Sequence, residues 1–320
     1  MGKNSLTRRT FLKGAGLTAV AVAGGACLPG QLAAASSEEH RVPNSSGTEA
    51  PKLKAPANAT DCHIHIYDPR FQPPVAEPSN ATVRDYRLLQ KRIGLKRVVI
   101  VTPRNYLTDN SVTLDAIKQL SPNARGVGVI RPTVTDAELK VLDAGGIRGI
   151  RFTVGGPDAV VSIDMIEPLA KRIASLGWHV QLNIPPQEIV NNADMLLRLP
   201  TPIVFDHMGK LPLPAGVDHP AYRVIRRLID QGRTWVKVSG ADLNTKVGPP
   251  TYSDAGAIAK AYIKAAPERM VWGSNWPHPG QKEIPDEALL FDLLGEWVPD
   301  EATRTRILVA NPETLYGFPK

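Results

Sequence analysis

The sequence of 320 residues predicts an α/β protein whose main domain is a (β/α)8 TIM barrel. Eight short apolar segments, rich in valine and isoleucine, alternate with longer amphipathic segments from residue 59 onwards. This alternation is typical of a parallel sheet whose faces are covered by helices. The range 59–320 has the length of one such barrel, and no repeat beyond the strand–helix unit is visible. We therefore predict a single barrel domain over residues 59–320.

Eight strands are predicted from apolar, often β-branched runs that are bounded by turn-forming residues. They cover residues 59–67, 96–102, 126–131, 146–152, 178–183, 202–207, 235–239 and 270–274. Helices are predicted where apolar residues recur three or four positions apart. They cover residues 83–93, 111–120, 136–142, 163–176, 188–197, 220–229, 254–265, 287–294 and 301–308. Each predicted strand is thus followed by at least one helix, as a (β/α)8 barrel requires.

Residues 1–35 have the pattern of a twin-arginine signal peptide. The pair Arg8-Arg9 precedes a run of small and apolar residues at 14–28, and alanines at 33–35 form a cleavage site. The apolar run is too short and too rich in glycine to predict a stable membrane span. Cys27 follows a poor match to a lipoprotein sequence, so no lipid anchor is predicted. We therefore expect export to the periplasm, with no stable membrane span in the mature form.

The mature chain is close to neutral. Four of the 38 Lys and Arg residues lie in the leader and none of the 31 Asp and Glu does, which leaves 34 basic residues against 31 acidic ones, a net charge of +3. No basic run with interleaved aromatic residues remains, so the protein is not expected to bind nucleic acid. Residues 36–58 are rich in Ser, Pro, Ala and Lys and predict a flexible segment before the barrel.

Polar side chains at the ends of the predicted strands predict an active site at the mouth of the barrel. His63 and His65 lie two residues apart in the first strand, so both point to one face. Active sites of such barrels lie at the carboxyl ends of the strands. Cys62, the one cysteine left after the leader, is expected to point away from the histidines as a packed thiol. The other candidates at strand ends are Arg104, Tyr106, Asn110, Arg151, Gln181, His207, Asn275 and His278.

Six motifs resemble those of the amidohydrolase-related (amidohydrolase 2) family over nearly all of residues 59–318. They are DCHIHIYDP, GIRGIRF, FDHMGKLP, VKVSG, VWGSNWPHP and NPETLYGF. Within the family, the chain is most similar to the branch with 2-pyrone-4,6-dicarboxylate hydrolase, sugar-acid lactonases and D-galactarolactone isomerase. The resemblance implies an amidohydrolase-type barrel that acts on a small-molecule carboxylated lactone.

The resemblance also bears on the cofactor. Metal-using members of the family hold a divalent ion with the two histidines of the first strand, a histidine on strand five and an aspartate on strand eight. Here Gln181 occupies the strand-five level, with His179 one pleat deeper, and Asn275 stands at strand eight. Neutral amides are poor zinc ligands, so no cofactor is predicted. The alternative is that His179 acts as the ligand in a metal-dependent amidohydrolase or decarboxylase, with a divalent metal such as zinc.

Without a metal, side chains must polarise the ester carbonyl and move the proton. His63 and His65, with one ring protonated, are expected to stabilise the oxyanion, and His207 to transfer the proton. Asn275 cannot accept a proton as an aspartate does, and is expected to orient water or a substrate hydroxyl. Arg151 in the fourth strand and Arg104 after the second strand are expected to hold a carboxylate together.

Four further residues are predicted to contact the substrate. Tyr106 and Asn110 resemble the substrate-contacting loop of the family, while Gln181 and His278 follow strands five and eight. Each also has a structural alternative, as a side chain that holds a loop in place.

The sequence predicts a metal-independent hydrolase of a carboxylated lactone or similar cyclic ester. One alternative is a sugar-acid lactone isomerase, in which the attacking group is the substrate's own hydroxyl. A nucleophile held within the substrate tolerates a weaker base than a free water does. Isomerisation is therefore more strongly favoured here, with Asn275, than in related enzymes that have aspartate at this position. Another is a non-catalytic periplasmic sugar-acid binder. The oligomeric state is not indicated by the sequence.

The leader generates a prediction on export. Changing both Arg8 and Arg9 to Lys should remove the protein from the periplasm, because the twin-arginine pair is the feature that the export machinery reads. Immunoblots of fractionated cells measure the periplasmic share. An unchanged periplasmic yield of the double variant would contradict the prediction.

Overall fold

The structure is a computed structural model that describes residues 41–75, 80–155 and 159–320. The predicted signal peptide at 1–35 lies outside the described residues. Eight parallel strands form one sheet in sequential order. They are β1 (Thr60–Ile64), β2 (Arg97–Val101), β3 (Ala124–Gly128), β4 (Ile147–Thr153), β5 (His179–Asn183), β6 (Ile203–Phe205), β7 (Thr234–Lys237) and β8 (Met270–Val271). This order confirms the predicted (β/α)8 barrel.

Backbone hydrogen bonds between the first and last strand segments bring the two ends of the sheet together. Cys62 N–H donates to the Trp272 carbonyl over 2.9 Å, and Asn275 N–H donates to the His63 carbonyl over 2.9 Å. His65 N–H continues the row by donating to the Trp276 carbonyl, also over 2.9 Å. Asn275 is thereby placed beside the two histidines.

The helices surround the sheet. The α-helices are α1 (Val83–Ile93), α2 (Ser111–Leu120), α3 (Asp136–Ala144), α4 (Ile166–Ile173), α5 (Pro186–Asn191), α6 (Ala193–Arg198), α7 (Pro220–Asp230), α8 (Ala241–Asn244), α9 (Ser253–Ala265), α10 (Glu287–Trp297), α11 (Glu301–Thr305) and α12 (Asn311–Tyr316). Short 3₁₀ turns flank several of them, and a π-helical turn at Arg306–Ala310 joins α11 to α12. Among the described residues, no helix has the length and apolar character needed to cross a bilayer.

Local sequence explains where the first helix begins and ends. Thr82 and Asp85 form a reciprocal capping box at the start of α1, and Gly94 ends it with a left-handed backbone. Predicted helix 188–197 is instead two short helices, α5 and α6, which meet at Asn192.

Strand β3 begins two residues and ends three residues earlier than predicted, and Asn110 explains where it ends. The Asn110 side chain accepts from Val129 N–H over 2.8 Å and donates to the Val129 carbonyl over 2.9 Å. These bonds take the place of strand pairing at Val129, so the regular strand ends at Gly128.

The expectation that Cys62 points away from the histidines is wrong. The register of β1 against β2 shifts between Asp61 and Ile64, which marks a bulge. Cys62 consequently packs in a cluster with valines of β2, β3, β6 and β8 and with Tyr316. Side chains from strands on opposite sides of the barrel meet only in its interior, so Cys62 lies inside, as a buried thiol.

Residues 41–58 contain no helix or strand but contact the barrel at defined points. Trp276 Nε1 donates to the Pro43 carbonyl over 2.9 Å, and Arg92 Nε donates to the Glu49 carbonyl over 2.9 Å. Leu53 N–H donates to Asp292 Oδ1 over 2.7 Å. This segment therefore lies against α1, α10 and the loop after β8.

Asp61 fixes the loop after β8 and generates a prediction on stability. Its carboxylate accepts from His63 N–H (3.1 Å), Ser274 N–H (2.9 Å) and the Tyr86 hydroxyl (3.3 Å). Asp61→Ala should lower the free energy of unfolding by about 3 kcal/mol, because it leaves buried donors unpaired. Asp61→Asn should cost less, since its amide oxygen still accepts. Urea unfolding of both variants measures the difference, and equal losses would contradict this role.

Candidate active site

The paired histidines of β1 lie at the centre of the site, and both are buried. His65 Nδ1 lies 2.8 Å from the Val101 carbonyl, and the Nε2 atoms of the two rings are 3.2 Å apart. Burial lowers the pKa of His65 to about 3, with a further contribution from Arg151. Burial, followed by the charge of Lys237, lowers the pKa of His63 well below its usual value. Both rings are therefore neutral near pH 7, which argues against the expected protonated ring in this pair.

Asp206, directly after β6, is a buried carboxylate that joins four other strands. Its Oδ2 accepts from Arg151 Nε over 2.9 Å and from Gln181 Nε2 over 3.1 Å. Its Oδ1 lies 3.2 Å from His63 Nδ1 and 3.4 Å from Lys237 Nζ. Burial by itself would raise the pKa of Asp206, but the charges of Lys237 and Arg151 hold it well below its usual value. Asp206 thus remains ionised at the centre of the site.

Lys237 on β7 is the partner that the sequence-based prediction missed. Its ammonium group is fully buried and lies 2.8 Å from Gln181 Oε1 and 3.1 Å from His63 Nδ1. The signal was present, since a lysine in the apolar run TWVKVSG needs a buried acceptor or carboxylate nearby. Asp206, which directly precedes the predicted His207, is that carboxylate.

His207 follows Asp206 in a turn with positive φ at His207 and Met208. Its Nδ1 lies 3.0 Å from the Ser239 hydroxyl oxygen, and its ring centroid lies 4.7 Å from that of His63. Burial lowers the pKa of His207 to about 4, although the charge of Asp206 opposes the shift. A neutral ring held by Ser239 is able to accept a proton at neutral pH.

A cavity of about 640 Å³ opens at the carboxyl ends of the strands. His65, His207 and Asn275 line its inner part. The cavity is also lined by the cations Arg104, Arg151 and Lys210, and none of its lining residues among those described is acidic. The chemistry of this lining fits an anionic ligand.

Arg104 offers free donors at this cavity. Its Nε and Nη2 are buried and have no hydrogen-bond partner among the described residues. Arg151, by contrast, is held by the bond from its Nε to Asp206. The predicted pair of arginines is therefore brought to one cavity, where Arg104 has buried donors without an acceptor among the described residues.

Four predicted substrate-binding residues do not line this cavity. The Tyr106 hydroxyl donates to the Phe71 carbonyl, and the Asn110 side chain is bonded to Val129. Gln181 lies beneath the cavity, between Asp206 and Lys237. His278 lies behind the cavity wall, between Glu287 and Asp242. Each of these side chains is engaged in holding the barrel or a loop.

The donor set fits a catalytic divalent ion poorly. Ligand atoms of His63, Asp206 and His207 lie within 4.8 Å of one another, which is the spacing that a metal requires. However, Asp206 is already paired with two cations, Lys237 and Arg151. A divalent ion there would add charge beside two fixed positive groups.

Strand five also lacks the ligand that the metal alternative requires. Gln181 already binds Asp206 and Lys237. His179 lies deeper, with its ring centroid 5.4 Å from that of Tyr316. In the structure, His179 does not reach the position that a strand-five metal ligand would need.

The fold and the site together define an enzyme of the amidohydrolase family. The sequence profile of the amidohydrolase family matches residues 60–318. The chain therefore belongs to this family, which confirms the resemblance seen in the motifs.

Particular relatives match most of the chain. It is 34% identical to 4-sulfomuconolactone hydrolase from Rhizobium radiobacter, over 82% of this chain and 91% of the relative. It is 32% identical to 2-pyrone-4,6-dicarboxylate hydrolase from Comamonas testosteroni, over 83% and 92%. It is 33% identical to D-galactarolactone isomerase from Agrobacterium fabrum, over 85% and 94%. A solved ligand-free structure from Agrobacterium tumefaciens has a TM-score of 0.79 at 30% identity, covering 86% of this chain and 99% of that chain.

His278 generates a prediction on stability. Burial alone would lower its pKa, but hydrogen bonds to Asp242 and Glu287 raise it from 6.5 to about 9. Since the folded pKa exceeds the unfolded one, the imidazolium stabilises the fold fully below pH 6.5, and this contribution is lost as pH rises through 9. The stabilisation by the His278 imidazolium is on the order of 3 kcal/mol.

His278→Gln should therefore destabilise the protein most at pH 6, with a difference from wild type that shrinks towards pH 9.5. Urea unfolding of both proteins across this range measures it. A difference that is constant with pH would show that His278 contributes by packing alone.

Proposed function

We propose that the protein is a metal-independent hydrolase that opens a carboxylated lactone or a similar cyclic ester. The observation that carries the proposal is the lining of the cavity. It contains the cations Arg104, Arg151 and Lys210 and a neutral His207, and no acidic residue among those described. The names of the curated relatives support the reaction class, because they act on lactones or a pyrone. The unsuitable donor set supports the absence of a catalytic metal.

Substrate binding starts with the unpaired guanidinium. Arg104 Nε and Nη2 lie on one edge of the guanidinium group, an arrangement that matches the two oxygens of a carboxylate. Lys210, also at the cavity, adds positive charge from the loop after β6. The carboxylate of the substrate is thus held at the outer part of the cavity and the ester is directed inwards.

His207 is the proton acceptor in this mechanism. It removes a proton from water as the oxygen attacks the lactone carbonyl, and returns the proton to the leaving alkoxide as the ring opens. Ser239 holds the His207 ring, and Asn275 orients the water.

The oxyanion needs a positive or hydrogen-bonding group beside it. Neutral His65 donates its Nδ1–H to the Val101 carbonyl, so its ring has no further N–H to donate to an oxyanion. Arg151, fixed by Asp206 and lining the same cavity, supplies the charge in its place.

Lactone isomerisation is the second candidate, and Asn275 is the observation that favours it. The substrate's own hydroxyl would replace water, which lowers the demand on the base. We place hydrolysis first because neutral His207 lies at the same cavity and is able to activate water. Export by the Arg8-Arg9 leader would place either reaction in the periplasm.

The product of a sugar-acid 1,5-lactone distinguishes the two reactions. Hydrolysis predicts the open acid in the NMR spectrum, at a rate above that of the lactone alone. Rapid appearance of the 1,4-lactone without open acid would instead assign the isomerase. Thermal stabilisation by the lactone panel without any product would assign a non-catalytic binder.

Arg104 generates a prediction on substrate binding. Arg104→Gln should raise KM for a carboxylated lactone by about 10- to 100-fold, because a charge-assisted hydrogen bond contributes about 1.5–3 kcal/mol. The effect on kcat should be smaller, since Arg104 binds away from the reacting carbonyl. Steady-state kinetics measure both constants. Arg131→Gln, which changes an exposed arginine outside this cavity, is the matched control; equal effects of the two variants would contradict the assignment.

A further inference from the structure

Lys237 is a buried cation that the proposed mechanism does not use. Its side chain is fully buried and does not line the cavity. Its Nζ nevertheless lies 3.1 Å from Nδ1 of His63, the histidine that contacts His65. An effect of Lys237 on the cavity is therefore transmitted through the histidine pair.

The hydrogen-bond partner of His65 determines where its proton lies. A carbonyl oxygen only accepts, so the 2.8 Å contact with the Val101 carbonyl requires a proton on His65 Nδ1. In a neutral imidazole the other nitrogen then carries the lone pair. His65 Nε2 is consequently an acceptor, and it faces His63 Nε2 at 3.2 Å.

This acceptor sets the tautomer of His63. The contact between the two Nε2 atoms is a hydrogen bond only if His63 carries its proton on Nε2. His63 Nδ1 then has a lone pair, which accepts from the Lys237 ammonium at 3.1 Å. In the opposite tautomer two lone pairs would face each other at 3.2 Å, and the Nδ1–H of His63 would face an ammonium group.

One neighbour favours the opposite tautomer. Asp206 Oδ1 lies 3.2 Å from His63 Nδ1 and would accept a proton from it. A carboxylate behind a histidine in this way is the arrangement that prepares the far nitrogen to bind a metal. Lys237 opposes it, because its ammonium donates to Nδ1 and also lies 3.4 Å from the same carboxylate oxygen.

We propose that Lys237 is a positioning residue that holds His63 as the Nε2–H tautomer, so that His63 and His65 bind each other instead of a divalent ion. Chelation by the pair would require lone pairs on both Nε2 atoms, and one of them carries a proton. The protein's own lysine thus excludes the metal that the two-histidine motif would otherwise bind. The catalytic meaning of this exclusion rests on the proposed metal-free function.

The tautomer is directly measurable in the wild-type protein. Long-range ¹H–¹⁵N correlation spectra of the full mature chain, with ¹⁵N-labelled histidine, distinguish a protonated ring nitrogen from one with a lone pair. The His63 signals are assigned by their absence in His63→Gln. We expect a protonated Nε2 and an unprotonated Nδ1; a proton on Nδ1 would overturn the proposal without any lysine variant.

Variants of the lysine test its role. In Lys237→Met, Asp206 remains beside Nδ1, so the His63 proton should move to Nδ1. Elemental analysis after dialysis against zinc should then find about one zinc per chain, against little in wild type. Lys210→Met, which removes a cavity cation that is not among the bonded partners of His63, should keep the wild-type tautomer and low zinc content. An unchanged His63 tautomer in folded Lys237→Met would overturn the role of Lys237.

Folding is monitored by far-UV circular dichroism. If Lys237→Met does not fold, Lys237→Arg keeps a cationic donor and should keep the Nε2–H tautomer, while a shift of the proton to Nδ1 in that variant would count against the proposal. None of these measurements depends on turnover. Failure to open a lactone, with the Nε2–H tautomer present, would remove only the proposed function.

Discussion

The buried carboxylate of Asp206 is the group on which the rest of the site depends. It lies within hydrogen-bond or ion-pair distance of side chains from four other strands: His63, Arg151, Gln181 and Lys237. An isolated charge is very costly to bury, and removal of one partner of a buried pair costs about 3–5 kcal/mol. The positions of these five side chains are therefore interdependent, and the carboxyl ends of the strands are tied to a common centre.

Burial and the same charge arrangement set the protonation of the histidines. Burial is the main cause that lowers the pKa values of His63, His65 and His207, and the two cations around one buried carboxylate add to it, so the three rings are neutral. Neutral His207 is suited to accept a proton, whereas neutral His65 is not suited to stabilise an oxyanion. In the proposed mechanism, Arg151, which the Asp206 carboxylate holds in position, therefore supplies the positive charge beside the oxyanion in place of the histidine pair.

Much of the fold was accessible from the sequence because it depends on local patterns. The bounds of α1 and α2 agree with the prediction, since both helices have apolar residues at helical spacing and α1 is also bounded by the capping residues Thr82 and Gly94. The placing of His65, His207 and Asn275 at one mouth followed from the parallel barrel. These features need no knowledge of contacts between distant residues.

What the sequence did not reveal depends on long-range contacts. The bulge in β1 turns Cys62 inwards, although strict alternation would point it outwards. Asn110 and His278 are polar residues at strand ends, as substrate-binding residues would be, but Val129 and Glu287 engage them. The pairing of Asp206 with Lys237 joins strands six and seven, and only the closed barrel shows that both side chains point to its centre.

We propose that side-chain cations in this site take the place of the divalent ion that metal-using members of the family hold. The test of this replacement is a turnover assay. Protein that has been stripped with a chelator is given a carboxylated lactone, and its metal content is measured on the same sample. We expect undiminished turnover with far less than one metal ion per chain. One zinc or manganese ion per chain, with activity that is lost on chelation and restored by the metal, would contradict it.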